Sequence, residues 1–496
     1  MSKRCIICIS KTVGVPKVED ERRILLQIIE SQAAQNAKLT EQVAALTAQV
    51  EELIRKLDEK NHRKTSKNSS TPPSSDGYAK PAPKSQRKSS GAKVGGQDGH
   101  KGNSMKLMKE PDEVREHYPV ACAGCPNKGI CHANIAERRY ESEIVVESRL
   151  IEHRQIVCCC QMANNVAITG EFPQNITGTK QYGNNLKAFA VALSTVGMVG
   201  IERIHDLLTG VFQISVSTGS IQNWIHQLAE KVSPAVGRIR EQINSLPVLN
   251  CDETGLRVAG SLHWLHCLCN ERWSYFALHK KRGKKAMDDI GILPGFVKTM
   301  VHDFWKPYYK YDSATHGICN AHIIRELVYA EEKMKQGWAG KLRELLLEMN
   351  ESRKLLQMDG SFQELVLQTY NLRYDNILAD GFEANPVPAK PKWKRGRPGK
   401  GKILSLLERL REYKADILRF ATDWSVPFTN NEAERTIRFS KVKQKVSGCF
   451  RTIEGAEEYA SIMSYISTAR KQGMAYFESV KQALSGNALA LLEQWV

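Results

Sequence analysis

The spacing of apolar positions changes several times along the chain. From Arg22 to Leu57 they recur every seven residues, with Leu25, Leu39, Leu46 and Leu53 on one seam position and Ile29, Val43, Val50 and Leu57 on its partner. A period of seven held over about five heptads predicts a coiled coil, and polar Gln32 and Asn36 within the seam are interruptions of the kind that fix register and strand number. Residues 18–60 are therefore read as a leucine zipper that self-associates, most simply as a dimer. The plainer alternative is an amphipathic helix lying on its own domain. The pattern then stops. Between 61 and 110, runs such as Asn68-Ser69-Ser70-Thr71-Pro72-Pro73-Ser74-Ser75 offer too little apolar surface to offset the entropy of ordering, which predicts a linker disordered off its partner.

Helical spacing begins at 183. Leu186, Phe189, Ala190 and Leu193, then Ile204, Leu207 and Leu208, give two helices; Gly210–Ser215 is a break, and Ser217 caps a third helix carrying Ile221, Trp224, Ile225 and Leu228. Over 178–245 this resembles a helix-turn-helix with Gln222, Asn223, His226 and Gln227 near its exposed face, or a packing module with no base to read. After Pro247 the pattern becomes strand-like. Val248–Thr254, His263–Cys269 and Trp273–His279 read as three consecutive strands, Ala286–Ile292 as a short helix and Phe296–Asp303 as a fourth strand. Helical periodicity returns over 326–380 and 403–420, and residues 473–496 read as a C-terminal helix.

Charge adds the kind of partner. Lys and Arg number 71 against 54 Asp and Glu, a net charge of +17 over 496 residues. From Lys60 to Lys109 there are 12 Lys or Arg and 2 Asp, so the linker is a cationic segment drawn to nucleic acid without reading its sequence. A simple tether is the alternative. A second cationic run, Lys392-Trp393-Lys394-Arg395-Gly396-Arg397-Pro398-Gly399-Lys400, has an Arg-Gly-Arg-Pro centre suited to a narrow minor groove, or is a solvated loop. The longest apolar run, Ala188–Ile201, falls short of the roughly 20 residues of a membrane span. Cys5–Ile9 is too short for a secretory signal. The expected setting is cytoplasmic, at the nucleoid, with no membrane partner.

The 13 cysteines are partly clustered. Cys122-Ala123-Gly124-Cys125 presents two thiolates on a tight turn, and Cys131 and Cys158-Cys159-Cys160 follow. A zinc ribbon over 111–165 would take Cys122, Cys125, Cys158 and one of Cys160 or Cys131. Three consecutive cysteines do not repeat the C-x-x-C geometry, so reduced thiols without zinc are the alternative.

The candidate chemistry lies in acids at strand ends. Asp252 closes the first strand of the 248–303 region and Asp303 the fourth. Three strands, a helix and a fourth strand begin a ribonuclease-H-like core, in which the first and fourth strands are neighbours. On a strand Asp252 and Glu253 face opposite ways, so one of them faces the site. A third carboxylate comes from Thr429-Asn430-Asn431-Glu432-Ala433-Glu434-Arg435-Thr436-Ile437-Arg438. Thr429 and Glu432 have capping-box spacing, which gives Glu432 a structural task and leaves Glu434 with Arg438 and Lys441 on its helical face. Asp252, Asp303 and Glu434 supply hard oxygens suited to Mg²⁺ or Mn²⁺, and Arg438 and Lys441 suit phosphates. Singly, each acid has a plain reading as a turn former, a cap or a surface ion pair. Cys319 and His322, a C-x-x-H pair, either support the site, bind DNA or pack a helix start. Trp305 and Tyr308 either stack on a displaced base or line the core.

The chain resembles the insertion-sequence sixty-six family of bacterial transposases over nearly all its length. The resemblance is carried by the zipper, the Pro-Pro-Ser-Ser-Asp-Gly and Gly-Gly-Gln-x-Gly-His-Lys-Gly linker, the cysteine ribbon and the helical module. It continues through Asp252-Glu253-Thr254, His302-Asp303, the Cys319–Leu327 block, and Asn430-Asn431-x-Ala-Glu434-Arg435-x-x-Arg438. It implies a DDE transposase whose acidic triad is Asp252, Asp303 and Glu434. Such an enzyme uses Mg²⁺ to cleave and join DNA at element ends, with helper proteins of the same element as further partners. The second cysteine cluster departs from the pattern. The expected architecture is multidomain α+β: zipper, linker, ribbon-like module, helical module, and a catalytic core over 246–472 with a helical insertion at about 326–420. A structure-specific nuclease or resolvase on the same core, and a catalytically silent DNA-binding protein, are the alternatives.

Overall fold

The structure is a computed structural model that describes residues 18–61, 110–115, 117–122, 124, 126, 135, 137–141, 147–160, 166–356, 362–386 and 401–494. The linker from 62 to 109, Cys125, Cys131, and the cationic run with Lys394, Arg395 and Arg397 lie outside these residues. Of Cys160 only the backbone is described. The chain divides into two units, Met1–Gly77 and Tyr78–Val496.

In the first unit, helix α1 (Val18–Asn61) runs unbroken through the heptad region. Ile29, Leu39, Val43, Leu46 and Val50 are each more than half exposed, so the seam read from the sequence is an apolar stripe on a single helix.

The first strands described in the second unit are β1 (Val157–Cys160), antiparallel to β2 (Val166–Thr169). Three helices follow where the periodicity placed them: α2 (Asn184–Thr195), α3 (Ile201–Gly210) and α4 (Thr218–Ser245). Ser217 Oγ accepts from Ser220 N at 3.0 Å, the cap expected for α4. Next come β3 (Val248–Val258), β4 (Ser261–Cys269), β5 (Ser274–His279), α5 (Lys284–Ile290), β6 (Thr299–His302) and β7 (Thr315–Ile318). They form one sheet in the order β5-β4-β3-β6-β7, with β3, β4 and β5 antiparallel in sequence and β6 and β7 parallel to β3. The first and fourth strands of this sheet are neighbours, as expected. β7 had no sequence reading: four residues, Thr-His-Gly-Ile, are too short for a period to register.

Alternate residues of the sheet build two layers. Leu249, Cys251, Leu268 and Met300 join the cluster formed by α2, α3, α4 and α5. Leu256, Val258, Leu265, Cys267 and Phe276 face α12 (Asn431–Ser447) and α13 (Ile453–Lys471).

Between β7 and α12 lie α6 (Asn320–Glu332), α7 (Gly337–Leu356), α8 (Glu364–Ala384), α9 (Gly401–Glu412), α10 (Lys414–Ile417) and α11 (Arg419–Thr422). They hold their own apolar cluster around Leu327, Trp338, Leu342, Leu346, Tyr374, Leu407 and Leu410. Gly381 lets α8 approach closely, since a Cβ there would meet Leu407 Cδ2 at 2.6 Å. The C-terminal stretch is two helices rather than one, α14 (Tyr476–Leu484) and α15 (Ala488–Glu493), separated at Gly486 with φ +92°. Val480, Leu484 and Leu492 bury into the α2–α4 cluster, so the chain's end completes the helical module.

Candidate active site

The β3–β6 register pairs Leu249 with Met300 and Asn250 with Val301. Asp252 and Asp303 each lie two residues beyond the last pair, so they occupy equivalent positions past the parallel β3–β6 ladder. Asp303 follows the end of β6, but Asp252 does not close its strand as expected, because β3 continues to Val258 against β4, with Asp252 opposite Cys267. Asp252 Oδ1 accepts from Glu253 N, and Asp303 Oδ1 accepts from Trp305 N, both at 2.9 Å. Asp303 is also held from behind. His302 Nδ1 donates to the Asp303 carbonyl, which leaves Nε2 to accept from His316 Nδ1 at 2.9 Å. Burial keeps His302 neutral, its pKa pushed down to about 3.

Glu434 arrives on the first turn of α12. The expected Thr429–Glu432 capping box is absent: the N-cap is Asn430, and its side chain makes no capping bond. Asn430 instead joins the helix to the sheet. Its Nδ2 donates to Cys251 O at 2.7 Å, its Oδ1 accepts from Asn250 Nδ2 at 2.9 Å, and its backbone N–H donates to Cys319 Sγ at 3.1 Å. A side chain turned toward β3 cannot also reach the free N–H groups of its own helix. Glu432 turns away from the site to Lys471, at 2.9 Å, and Arg435, at 3.7 Å. Sequence reasoning assigned Asn430 no role of its own; an Asn before a helix reads as an ordinary cap.

Electrostatics tie the three acids together. Burial raises the Asp252 pKa well above the carboxylate range, and the charges of Glu253, Asp303 and Glu434 raise it further. Asp303 is pushed up to about 7 by burial and by Glu253, with the Trp305 N–H and Arg282 pulling back. Burial raises Glu434, against Arg325, the Cys319 thiol and Arg438. Each keeps partial exposure. Three desolvated carboxylates with hard oxygen donors fit a divalent cation, which would relieve their mutual repulsion. Among the described residues, the group of three potential metal donors closing to within 4.8 Å is Cys319, His322 and Glu434. The two aspartates and Glu434 stand further apart than that.

Glu253 takes the other face of β3, as strand alternation requires. Its Oε1 accepts from Arg282 Nε at 2.9 Å and Nη2 at 2.6 Å, and its Oε2 accepts from Tyr308 OH at 2.5 Å. Arg282 lies between the rings of Trp305, 4.0 Å away, and Trp264, 4.8 Å away. Tyr308 is buried and bonded to Glu253, so it is a core aromatic and not a base platform. Trp305 presents its ring to Arg282. No sequence signal singled out Arg282, because its partners come from three separate strands and turns.

Of the expected phosphate contacts, Arg438 is exposed beside Glu434. Lys441 is turned inward, its Nζ donating to Gly255 O at 2.6 Å within reach of Asp252, and burial lowers its pKa. Lys443 likewise donates to Ser194 O at 2.9 Å. Cys122 and Cys158 carry free thiols, Cys158 on β1 opposite Ile168. On α4, Gln222 and Asn223 are exposed, while His226 Nδ1 pairs with Glu458 at 2.6 Å, an acidic neighbour that does not suit base reading.

A mixed sheet with one acid within β3, one just past β6 and a third on a following helix defines a protein that gathers carboxylates around the end of the β3–β6 ladder. The family model "Transposase IS66 family" matches residues 179–458, more than half of the chain and all of that sheet. The chain belongs to this transposase family. Residues 16–106 match a second model, described as a family of unknown function, DUF6444, which covers α1 and the linker. Nothing among curated proteins matches the chain. Among the described residues no helix is long and apolar enough to cross a membrane.

Proposed function

We propose that this transposase is of the DDE type, with a ribonuclease-H-like core, and that it cleaves DNA at its element's ends and joins the freed 3′-OH to a target. The observation that carries the reading is the equivalent placement of Asp252 and Asp303, each two residues past the parallel β3–β6 ladder, with Glu434 electrostatically coupled to both. Asp252, Asp303 and Glu434 would hold Mg²⁺ or Mn²⁺, which would supply activation of an attacking hydroxyl and stabilisation of the leaving oxygen in an in-line phosphoryl displacement. Asn430 fixes the start of α12 on β3 and thereby aims Glu434. Arg438, exposed one turn along, holds a neighbouring phosphate, and Lys441 moderates the charge beside Asp252. Arg282 positions Asp303 through Trp305.

DNA engagement beyond the site falls to the basic linker and to Lys394, Arg395 and Arg397. The exposed stripe of α1 supports self-association as a coiled coil, whose order sedimentation of the purified chain reads. Zinc at Cys122, Cys125, Cys158 and Cys160 is supported by the C-x-x-C pair and by the β1–β2 pairing that presents Cys158.

The test is strand cleavage and joining on labelled DNA carrying the element's ends, with Mg²⁺ or Mn²⁺ against EDTA, beside Glu434→Ala. Metal-dependent 3′-end release and joining, lost in the variant, is the expected result. Cleavage without joining would favour a nuclease or resolvase. Tight binding without cleavage, with the element's helper proteins present, would favour a silent DNA-binding protein.

A further inference from the structure

Two helix starts converge beside the acidic cluster. Cys319 precedes α6 and His322 lies in its first turn, so a spacing of three puts both side chains on one side, and Glu434 projects from the first turn of α12 toward them. Cys319 is fully buried, and the His322 side chain is 9% exposed. His322 Nδ1 has no hydrogen-bond partner, an orphaned buried nitrogen aimed at this cluster.

The spacing suits ligands. His322 Nδ1 lies 3.6 Å from Glu434 Oε1, too far for a hydrogen bond, and the Cys319 thiol donates a long sulfur hydrogen bond to the same oxygen at 3.7 Å. With metal bonds of about 2.3 Å to sulfur and about 2.0–2.1 Å to nitrogen and oxygen, two ligands of a tetrahedral ion stand roughly 3.3–3.6 Å apart. The positive ends of both helices and the nearby charge of Arg325 favour a carboxylate at Glu434, whereas burial pushes the Cys319 thiol up to about 12, which leaves it protonated until an ion binds.

We infer that Cys319, His322 and Glu434 form a site for a thiophilic divalent cation of the zinc class, with a fourth position open to water, and that its occupancy withdraws Glu434 from the two aspartates. Ligation displaces the thiol proton to solvent. A sulfur–nitrogen–oxygen donor set selects zinc or cobalt over magnesium, whereas the aspartates beside it offer oxygen alone. Glu434 belongs to both sets, so one carboxylate cannot complete both at once. This competition rests on the reading of Glu434 as the third acid; the binding itself does not.

The experiment titrates Co²⁺ into metal-stripped, reduced, full-length protein and follows the thiolate-to-cobalt charge-transfer band, for wild type, Cys319→Ser, His322→Gln and Glu434→Gln. Wild type should take one equivalent more than Cys319→Ser, with a matching loss of the band. His322→Gln and Glu434→Gln should weaken that increment by about tenfold or more. Identical stoichiometry and spectra for folded wild type and Cys319→Ser would overturn the site. If Cys319→Ser does not fold, wild-type cobalt affinity in both other variants overturns it equally. A parallel arm adds Zn²⁺, one equivalent beyond what Cys319→Ser takes up, to the Mg²⁺-dependent cleavage assay. At least tenfold inhibition of wild type, absent in Cys319→Ser, supports the competition, and equal rates with and without zinc overturn it. A cobalt band without DNA cleavage under any metal keeps the site and sinks the transposition chemistry assigned to Glu434.

Discussion

Asp252 and Glu253 are neighbours on one strand, and their surroundings are opposite. Glu253 is buried with a guanidinium and a phenol on its two oxygens. Asp252 has, besides one backbone N–H and the inward-turned Lys441, other carboxylates for company. A buried charge with partners stabilises a fold only in its assembled form, and removing one partner is costly; a buried charge among like charges is a strain held for something else. The two residues therefore separate an acid held by cationic and phenolic partners from one held among like charges, and substitutions can break or sharpen that separation.

The largest effect is expected on chemistry. Asp252→Asn or Asp303→Asn should cost several kcal/mol of transition-state stabilisation, read as single-turnover cleavage, because a neutral amide is a poor ligand for a hard cation. The same change should leave the metal-free fold more stable. Asp303 has its pKa raised to about 7, so its protonated form is the one the fold favours. The associated stability is full below about pH 4 and is lost as pH rises through about 7. The gain from Asp303→Asn in urea denaturation without divalent ions should thus grow from about pH 4 and level off above about 7, by up to about 1.4 kcal/mol per pH unit. A gain that shrinks with rising pH would place Asp303 with Glu253 as a structural acid.

Arg282→Ala should lower stability by about 3 kcal/mol, since it leaves the Glu253 carboxylate buried with Tyr308 as its remaining side-chain partner. Arg282→Met, which keeps the stem between the tryptophans, should recover little of this in the same denaturation experiment.

Asn430→Asp should cost about 2 kcal/mol, replacing a donor to the Cys251 carbonyl with a second acceptor, and should slow cleavage by loosening Glu434. Stability lost with cleavage unchanged would show that the start of α12 does not aim the acid.

The smallest effect falls on Glu432→Ala. Its partners are Lys471 and an exposed Arg435, so under about 1 kcal/mol is expected in thermal unfolding, with cleavage retained. Loss of cleavage here with Glu434→Ala active would reverse the assignment of the two glutamates.

Much of this arrangement was legible in the sequence because it rests on local periodicity. The heptads of α1, the Ser217 cap, the four strands from 248 to 303 and the helices between the second and third acids all have short-range signatures. β7 and the break at Gly486 escaped notice, the first for shortness and the second because one glycine in an apolar run does not by itself end a helix. Glu432 and Glu434 do point in different directions, but the capping box expected to separate them is absent. Glu432 is drawn away by Lys471, a residue from α13 that no local pattern brings near.

The sequence by itself determined most of the long helices and the four strands from 248 to 303, which acids lie in or just past those strands, and that the chain carries a strong cationic excess. These follow from side-chain spacing and backbone preference within a few residues. The tertiary structure decided the charge environment of each acid, the transfer of Asn430 from cap to crosslink, the inward turn of Lys441 and Lys443, and the meeting of Cys319 and His322 with Glu434. Each depends on desolvation and on partners from distant elements, and an acid's pKa or a thiol's role exists only once the chain has folded around it.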